Sequence, residues 1–159
     1  MTREVDFTDI YVDDEIVRRV SDVIRSGRWV KGPVLEQFET EFAETMSAEH
    51  AVGVSSGTAA LLVALDALGI GEGDDVFVPG HTFFATASPV LELGANPVFV
   101  DISPERYTLD PDHLRKRVVE ADNPTAVMPV HIYGQLADMD GITAVADEFD
   151  LDVVEDACQ

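Results

Sequence analysis

Cysteine is almost missing from this chain. Cys158 is the only one in 159 residues, so an internal disulfide framework is excluded and packing must hold the fold together. Basic residues are scarce as well: ten Lys and Arg face 31 Asp and Glu, leaving a formal charge of −21. Only Lys31 and Lys116 are lysines. A field of that sign repels nucleic acid and anionic lipid, so neither is expected as a partner. No apolar run approaches the ~20 residues that a membrane span needs. The opening stretch MTREVDFTDI has no apolar core of the signal-peptide kind, and the cytoplasm is the expected location. A Walker-type Gly-Lys-Ser/Thr is absent, and His50, His81, His113 and His131 share no metal-ligand spacing. No metal site is expected.

What is present reads as a folded α/β chain. Hydrophobic residues make up 46%, a globular proportion. The acids are interleaved with periodic apolar residues, which points to a solvated acidic surface of the salt-adapted, halophilic kind and not to a disordered tail. Two helices come first. One spans 13–26, with Ile16, Val17, Val20, Val23 and Ile24 at helical spacing, and a second follows Pro33 with Leu35, Phe38, Phe42 and Met46 along one face. From residue 51 the pattern changes. Strands are predicted at 51–54, 76–79, 97–101, 125–130 and 152–155. Helices are predicted near 58–68, 82–93, 111–120 and 138–149, with Gly69 and Gly94 as stops. Strands alternating with helices imply repeated βαβ units: a three-layer α/β fold whose mostly parallel sheet is flanked by helices and covered on both faces.

Ligands of such sheets collect beyond the carboxyl ends of the strands, and three predicted strand ends carry unusual residues. Ser55-Ser56-Gly57-Thr58-Ala59-Ala60 sits between a strand and a helix. Its glycine permits close backbone approach and its helix start offers N–H groups to a phosphate; simple helix capping explains the same residues. Glu155-Asp156 closes the last strand, where carboxylates need a cation, a donor or a paired arginine. Pro79-Gly80-His81-Thr82-Phe83-Phe84 places aromatic rings at a strand-to-helix corner, as core or as a stacking surface. His131, in Val130-His131-Ile132-Tyr133-Gly134, either lines the cleft or is a satisfied structural histidine. Gly69-Ile70-Gly71-Glu72-Gly73 follows a helix and precedes a strand, the wrong order for a dinucleotide fingerprint.

Taken in order, SGRWVKGPVLEQFETEF, then SSGTAALLVALDALGIGEGDDVFVPGHTFFATASPVLELGANPVFVDI, PVHIYGQLADMD and VVEDACQ resemble the DegT/DnrJ/EryC1/StrS aminotransferases over nearly the whole chain. These are pyridoxal-phosphate enzymes of fold type I that act mostly on nucleotide-linked keto sugars. The resemblance implies the N-terminal part of a fold type I large domain, with a helical segment at 1–50 packing on an incomplete cofactor-binding domain at 51–159. It also implies pyridoxal 5'-phosphate as cofactor. Gly57, Thr58 and Ala59 would hold its phosphate, Phe83 would stack on its ring, and Asp156 would pair with the ring nitrogen. Gln159 would bond the phenolic oxygen. His81, His131, Trp29 and Lys31 are the substrate candidates; Arg28, Trp29 and Lys31 form an early loop that serves a dimer contact, substrate phosphates or only solvent.

The implied activity moves an amino group, from glutamate, onto a nucleotide-linked keto sugar for polysaccharide or glycan precursors, in a homodimer. The family's Schiff-base lysine lies beyond the Glu-Asp-x-x-Gln segment, and neither Lys31 nor Lys116 fits its position. The resemblance therefore implies an amino-terminal fragment that is inactive by itself. Two other readings stay open: a sugar dehydratase of the same family, with histidine for lysine, and a non-catalytic truncated remnant.

Overall fold

The structure, a computed structural model, describes residues 10–158. They divide after Gly53 into two compact units. The first holds α1 (Asp14–Ser26) and α2 (Pro33–Met46). The Asp13 carboxylate starts α1 by accepting the Ile16 N–H at 2.8 Å, a side-chain cap for one of the orphan donors of a helix start. Pro33 opens α2, where its missing N–H costs nothing.

The second unit carries α3 (Gly57–Ala67), β1 (Asp75–Pro79), α4 (Ser88–Glu92), β2 (Asn96–Val100), α5 (Pro111–Glu120), β3 (Pro124–Val127), α6 (Met139–Phe149) and β4 (Asp152–Val153). All strand pairings are parallel, in the order β2-β1-β3-β4. Residue alternation on β1 and β3 divides the core into two layers. Val76, Val78, Ala126 and Met128 face Leu61 and Leu65 of α3 and Val90 of α4. Phe77 and Val127 face Leu114 and Val118 of α5 and Ile142 and Val145 of α6. This is the three-layer α/β arrangement with a parallel sheet that the alternating pattern predicts. Gly69 and Gly94 stop their helices in the left-handed region, at φ 83° and 79°.

Several local details differ from the sequence reading. Residues 51–54 are not a strand: strand structure is made by pairing, and no neighbouring strand takes up their backbone groups among the described residues. The Gly53 N–H instead donates to the Glu39 carboxylate at 2.7 Å. The single helix predicted at 82–93 is broken into a 3-10 turn, Phe84–Thr86, and the short α4, because Pro89 cannot donate to a continuous ladder and starts a helix afresh. Pro129 likewise shortens the strand predicted at 125–130. The last strand shrinks to Asp152–Val153, with one further bridge between Val130 and Asp156. β1 is buried throughout, but β2 is an edge strand whose Phe99 faces solvent, so the sheet is not covered evenly. No helix among the described residues is long and apolar enough to cross a membrane.

Candidate functional site

The chain winds outward from β1 to β2, then returns across β1 to β3 and β4. The direction of winding therefore reverses at β1, and the carboxyl ends of β1 and β3 frame the crevice where open α/β sheets take ligands. A cavity of about 370 Å³ opens there, within the ligand-pocket range. Three segments build it: Gly57, Thr58 and Leu61 from the start of α3; Thr82, Phe83 and Ala85 after β1; and Val130, Ile132, Tyr133, Asp156 and Cys158 after β3 and β4. Residues a hundred positions apart meet because parallel strands deliver all their carboxyl ends to one edge.

At the α3 corner the Ser56 hydroxyl accepts the Ala59 N–H at 3.2 Å, and the Ser56 carbonyl accepts the Ala60 N–H at 3.0 Å. Ser56 thus caps the helix. The N–H groups of Gly57 and Thr58 and the Thr58 hydroxyl have no partner among the described residues and stand at the cavity wall. Free donors at the positive end of a helix suit an anion. Ala59, expected beside them, commits its N–H to the cap.

At the opposite corner Asp156 is buried, with 7% of its surface exposed. Its Oδ2 accepts the Thr86 hydroxyl at 2.8 Å and its Oδ1 accepts the Cys158 N–H at 3.3 Å. Backbone bonds hold the residue itself: its N–H donates to the Pro129 carbonyl at 2.9 Å, and its carbonyl accepts from His131 at 3.0 Å. No ion pair to Asp156 occurs among the described residues. A carboxylate out of water with only neutral donors suits a cationic or N–H-bearing ligand. The two corners are in contact. A methyl group added at Gly57 would fall 2.6 Å from the Cys158 Sγ, so the thiol would have to move aside to admit it. A hydrogen bond to Asp156, desolvation and that carboxylate's charge together push the Cys158 thiol above its ordinary value.

The other candidates scatter. Phe83 lines the cavity and is 78% exposed, an uncovered aromatic surface and not a core ring. His81 does not line it; its Nε2 meets the Tyr133 hydroxyl at 3.0 Å beside the cavity rim. His131 is buried and satisfied. Its Nδ1 accepts the Ala137 N–H at 3.1 Å, which leaves the proton on Nε2 to be donated to Glu155 at 2.8 Å. Trp29 and Lys31 belong to the first unit, where the Trp29 Nε1 donates to the Ile24 carbonyl at 3.0 Å. Gln159 lies outside the described residues. Sequence reasoning overlooked Thr86, whose only signal was its spacing of one helical turn from Thr82, and gave Cys158 no place at the cavity. No group of three or more His, Cys, Asp or Glu among the described residues is placed to hold a metal ion.

A doubly wound parallel sheet with an anion-ready helix start and a buried, unpaired carboxylate at its switch point is an α/β domain of the class whose ligands sit at the strand carboxyl ends. A model of the DegT/DnrJ/EryC1/StrS aminotransferase family matches residues 11–159, and the chain belongs to that family. The dTDP-3-amino-3,4,6-trideoxy-alpha-D-glucose transaminase of Streptomyces venezuelae is 44% identical over 163 residues, covering 99% of this chain and 42% of that protein. The crystal structure of S. venezuelae DesV, in complex with a ketimine intermediate, superposes with a TM-score of 0.87 at 46% identity, over 91% of this chain and 38% of that one. NtdA from Bacillus subtilis, solved with bound cofactor PMP, gives a TM-score of 0.87 at 36% identity, over 92% of this chain and 33% of that one. The chain spans about two fifths of the length of the curated relatives it matches. Its architecture is that of the N-terminal part of the large domain in pyridoxal-phosphate-dependent aminotransferases of fold type I.

Proposed function

We propose that this chain is the cofactor-binding amino-terminal part of an aminotransferase that transfers an amino group, from glutamate, to a nucleotide-linked keto sugar during polysaccharide or glycan precursor synthesis. The observation that carries the reading is the buried, cation-free Asp156 sharing one cavity with the free donors at the start of α3. Pyridoxal phosphate fits that pair of corners: its phosphate is an anion, and its protonated ring nitrogen is the cation that the carboxylate lacks. When bound, the cofactor supplies an electron sink for a carbanion at the substrate carbon.

The chain's residues divide the work. Gly57 and Thr58 anchor the phosphate through two N–H groups and a hydroxyl. Asp156 keeps a proton on the ring nitrogen, and Phe83 covers one face of the ring. Lys116, on α5 of the same unit, does not line the cavity. The working enzyme acts as a homodimer in the cytoplasm.

Titration of the full chain with pyridoxamine phosphate, which cannot react with a lysine, tests the reading. Binding that weakens about tenfold or more in Asp156→Asn, and that inorganic phosphate competes away, is the expected result. Unchanged binding in Asp156→Asn refutes the ring-nitrogen contact. Glutamate-dependent amination of a nucleotide-linked keto sugar by the full-length enzyme is the activity to assay.

A further inference from the structure

Thr86 has no surface exposed to solvent, does not line the cavity, and yet spends its hydroxyl on the one carboxylate that does. Thr82, which does line the cavity, is hydrogen-bonded to Thr86, the two hydroxyl oxygens 2.8 Å apart. Hydrogen-bond bookkeeping gives this pair a direction. An ionised carboxylate only accepts, so the single Thr86 proton must go to Asp156 Oδ2; the Thr86 oxygen then accepts the proton of Thr82. The chain runs Thr82 to Thr86 to Asp156. The Cys158 N–H holds the other carboxylate oxygen at 3.3 Å. The Thr86 hydroxyl on one oxygen and the Cys158 N–H on the other pin the plane of the carboxylate, with the Cys158 thiol beside it.

We propose that Thr86 is a positioning residue: its directed hydroxyl, itself oriented by Thr82, fixes the Asp156 carboxylate in the plane that a ring N–H at this site requires. The inference rests on the assignment of Asp156 to the ring nitrogen made above. Thr86 reaches the ligand only through Asp156. The exposed Thr40 and Thr45 hydroxyls and the half-buried Thr143 hydroxyl each bond a backbone carbonyl one turn away on their own helix. Thr86 instead reaches across 70 residues of sequence to a charged group. A hydrogen bond to a charged partner is of the strong kind.

The test compares two probes on the full chain: pyridoxamine phosphate, and its 1-deaza analogue, in which a C–H replaces the ring nitrogen. Thr86→Val keeps the shape and removes the hydroxyl. It should bind pyridoxamine phosphate about tenfold more weakly than the parent chain and bind the deaza analogue as the parent chain does, whereas Thr86→Ser should keep the parent affinity for pyridoxamine phosphate. Equal weakening toward both probes would overturn the proposal, because support of the fold does not distinguish ring N from ring C–H. Unchanged affinity for both would overturn it as well. Asp156→Asn is measured alongside: if it binds pyridoxamine phosphate like the parent chain, the ring-nitrogen assignment itself fails, whereas loss in Asp156→Asn without loss in Thr86→Val removes only the role of Thr86. If Thr86→Val does not fold, Thr86→Cys enters the same comparison, since a thiol of similar size is a weak donor.

Discussion

Replacing Gly57 by alanine probes the point where the start of α3 meets the segment that follows β4. The added Cβ would lie 2.6 Å from the Cys158 Sγ and 4.0 Å from the Cys158 Cβ. Non-bonded heavy atoms rest about 3.5–4.0 Å apart, so the thiol must retreat by about 1 Å. Rotating it away forfeits its hydrogen bond to Asp156, so the movement is not free. Overpacking of this kind costs about 1–3 kcal/mol. Against it, alanine at an unstrained helical position regains about 0.4–1 kcal/mol by restricting the unfolded chain. Gly57→Ala alone should therefore destabilise by about 1 kcal/mol. In a Cys158→Ala background the obstructing sulfur is gone and the nearest atom is an ordinary contact at 4.0 Å. There the same substitution should stabilise, by about 0.4–1 kcal/mol. Urea unfolding of the four proteins, followed by circular dichroism at fixed salt, closes the cycle. A coupling energy of about 1–3 kcal/mol is expected. Coupling below about 0.3–0.5 kcal/mol, the level of distant sites, would mean that the two corners do not touch, and the shared cavity would go with them.

Three further outcomes follow from the same geometry. The Asp156 carboxylate disfavours a second negative charge beside it, so iodoacetamide should alkylate Cys158 at pH 8.5 more slowly than it alkylates glutathione, and Asp156→Asn should speed the reaction; a rate at or above that of glutathione refutes the raised thiol. Phe77→Ala empties a site with no solvent exposure between β1 and the α5–α6 layer and should cost about 3–5 kcal/mol. Phe99→Ala at the solvent-facing edge should cost less than about 1 kcal/mol; equal losses in the unfolding free energy would contradict the layer assignment. With a charge of −21, the chain should unfold at higher urea concentration as KCl rises from 0.1 M, where the screening length is about 10 Å, to 1 M, where it is about 3 Å. A midpoint indifferent to KCl would leave the salt-adapted surface without support.

The order and kind of most elements were legible in the sequence, because they depend on neighbours close along the chain. Helical spacing marked α1, α2, α3, α5 and α6, the glycines at 69 and 94 marked helix ends, and the alternation of strand and helix forced a parallel sheet with its working edge at the strand carboxyl ends. Gly57, Thr58, Phe83 and Asp156 were legible because each follows a short β-branched run, and the structure brings all four to one cavity although the run before Gly57 pairs with no strand among the described residues. Prolines 89 and 129 misled, since their effect on a ladder was outweighed in the pattern by the apolar residues around them. Residues 51–54 misled differently, for a β-branched run becomes a strand only when another strand lies beside it.

What no window of sequence could settle is which distant groups share a hydrogen bond or a van der Waals contact. The strand order β2-β1-β3-β4 put the winding reversal at β1, and only that order carries Asp156 to Thr86 and the Cys158 thiol to Gly57. Residue chemistry along the chain named the groups able to hold an anion and a cation. The folded sheet decided that they face one another, because hydrogen bonding and packing act over ångströms in space, whatever the separation along the chain.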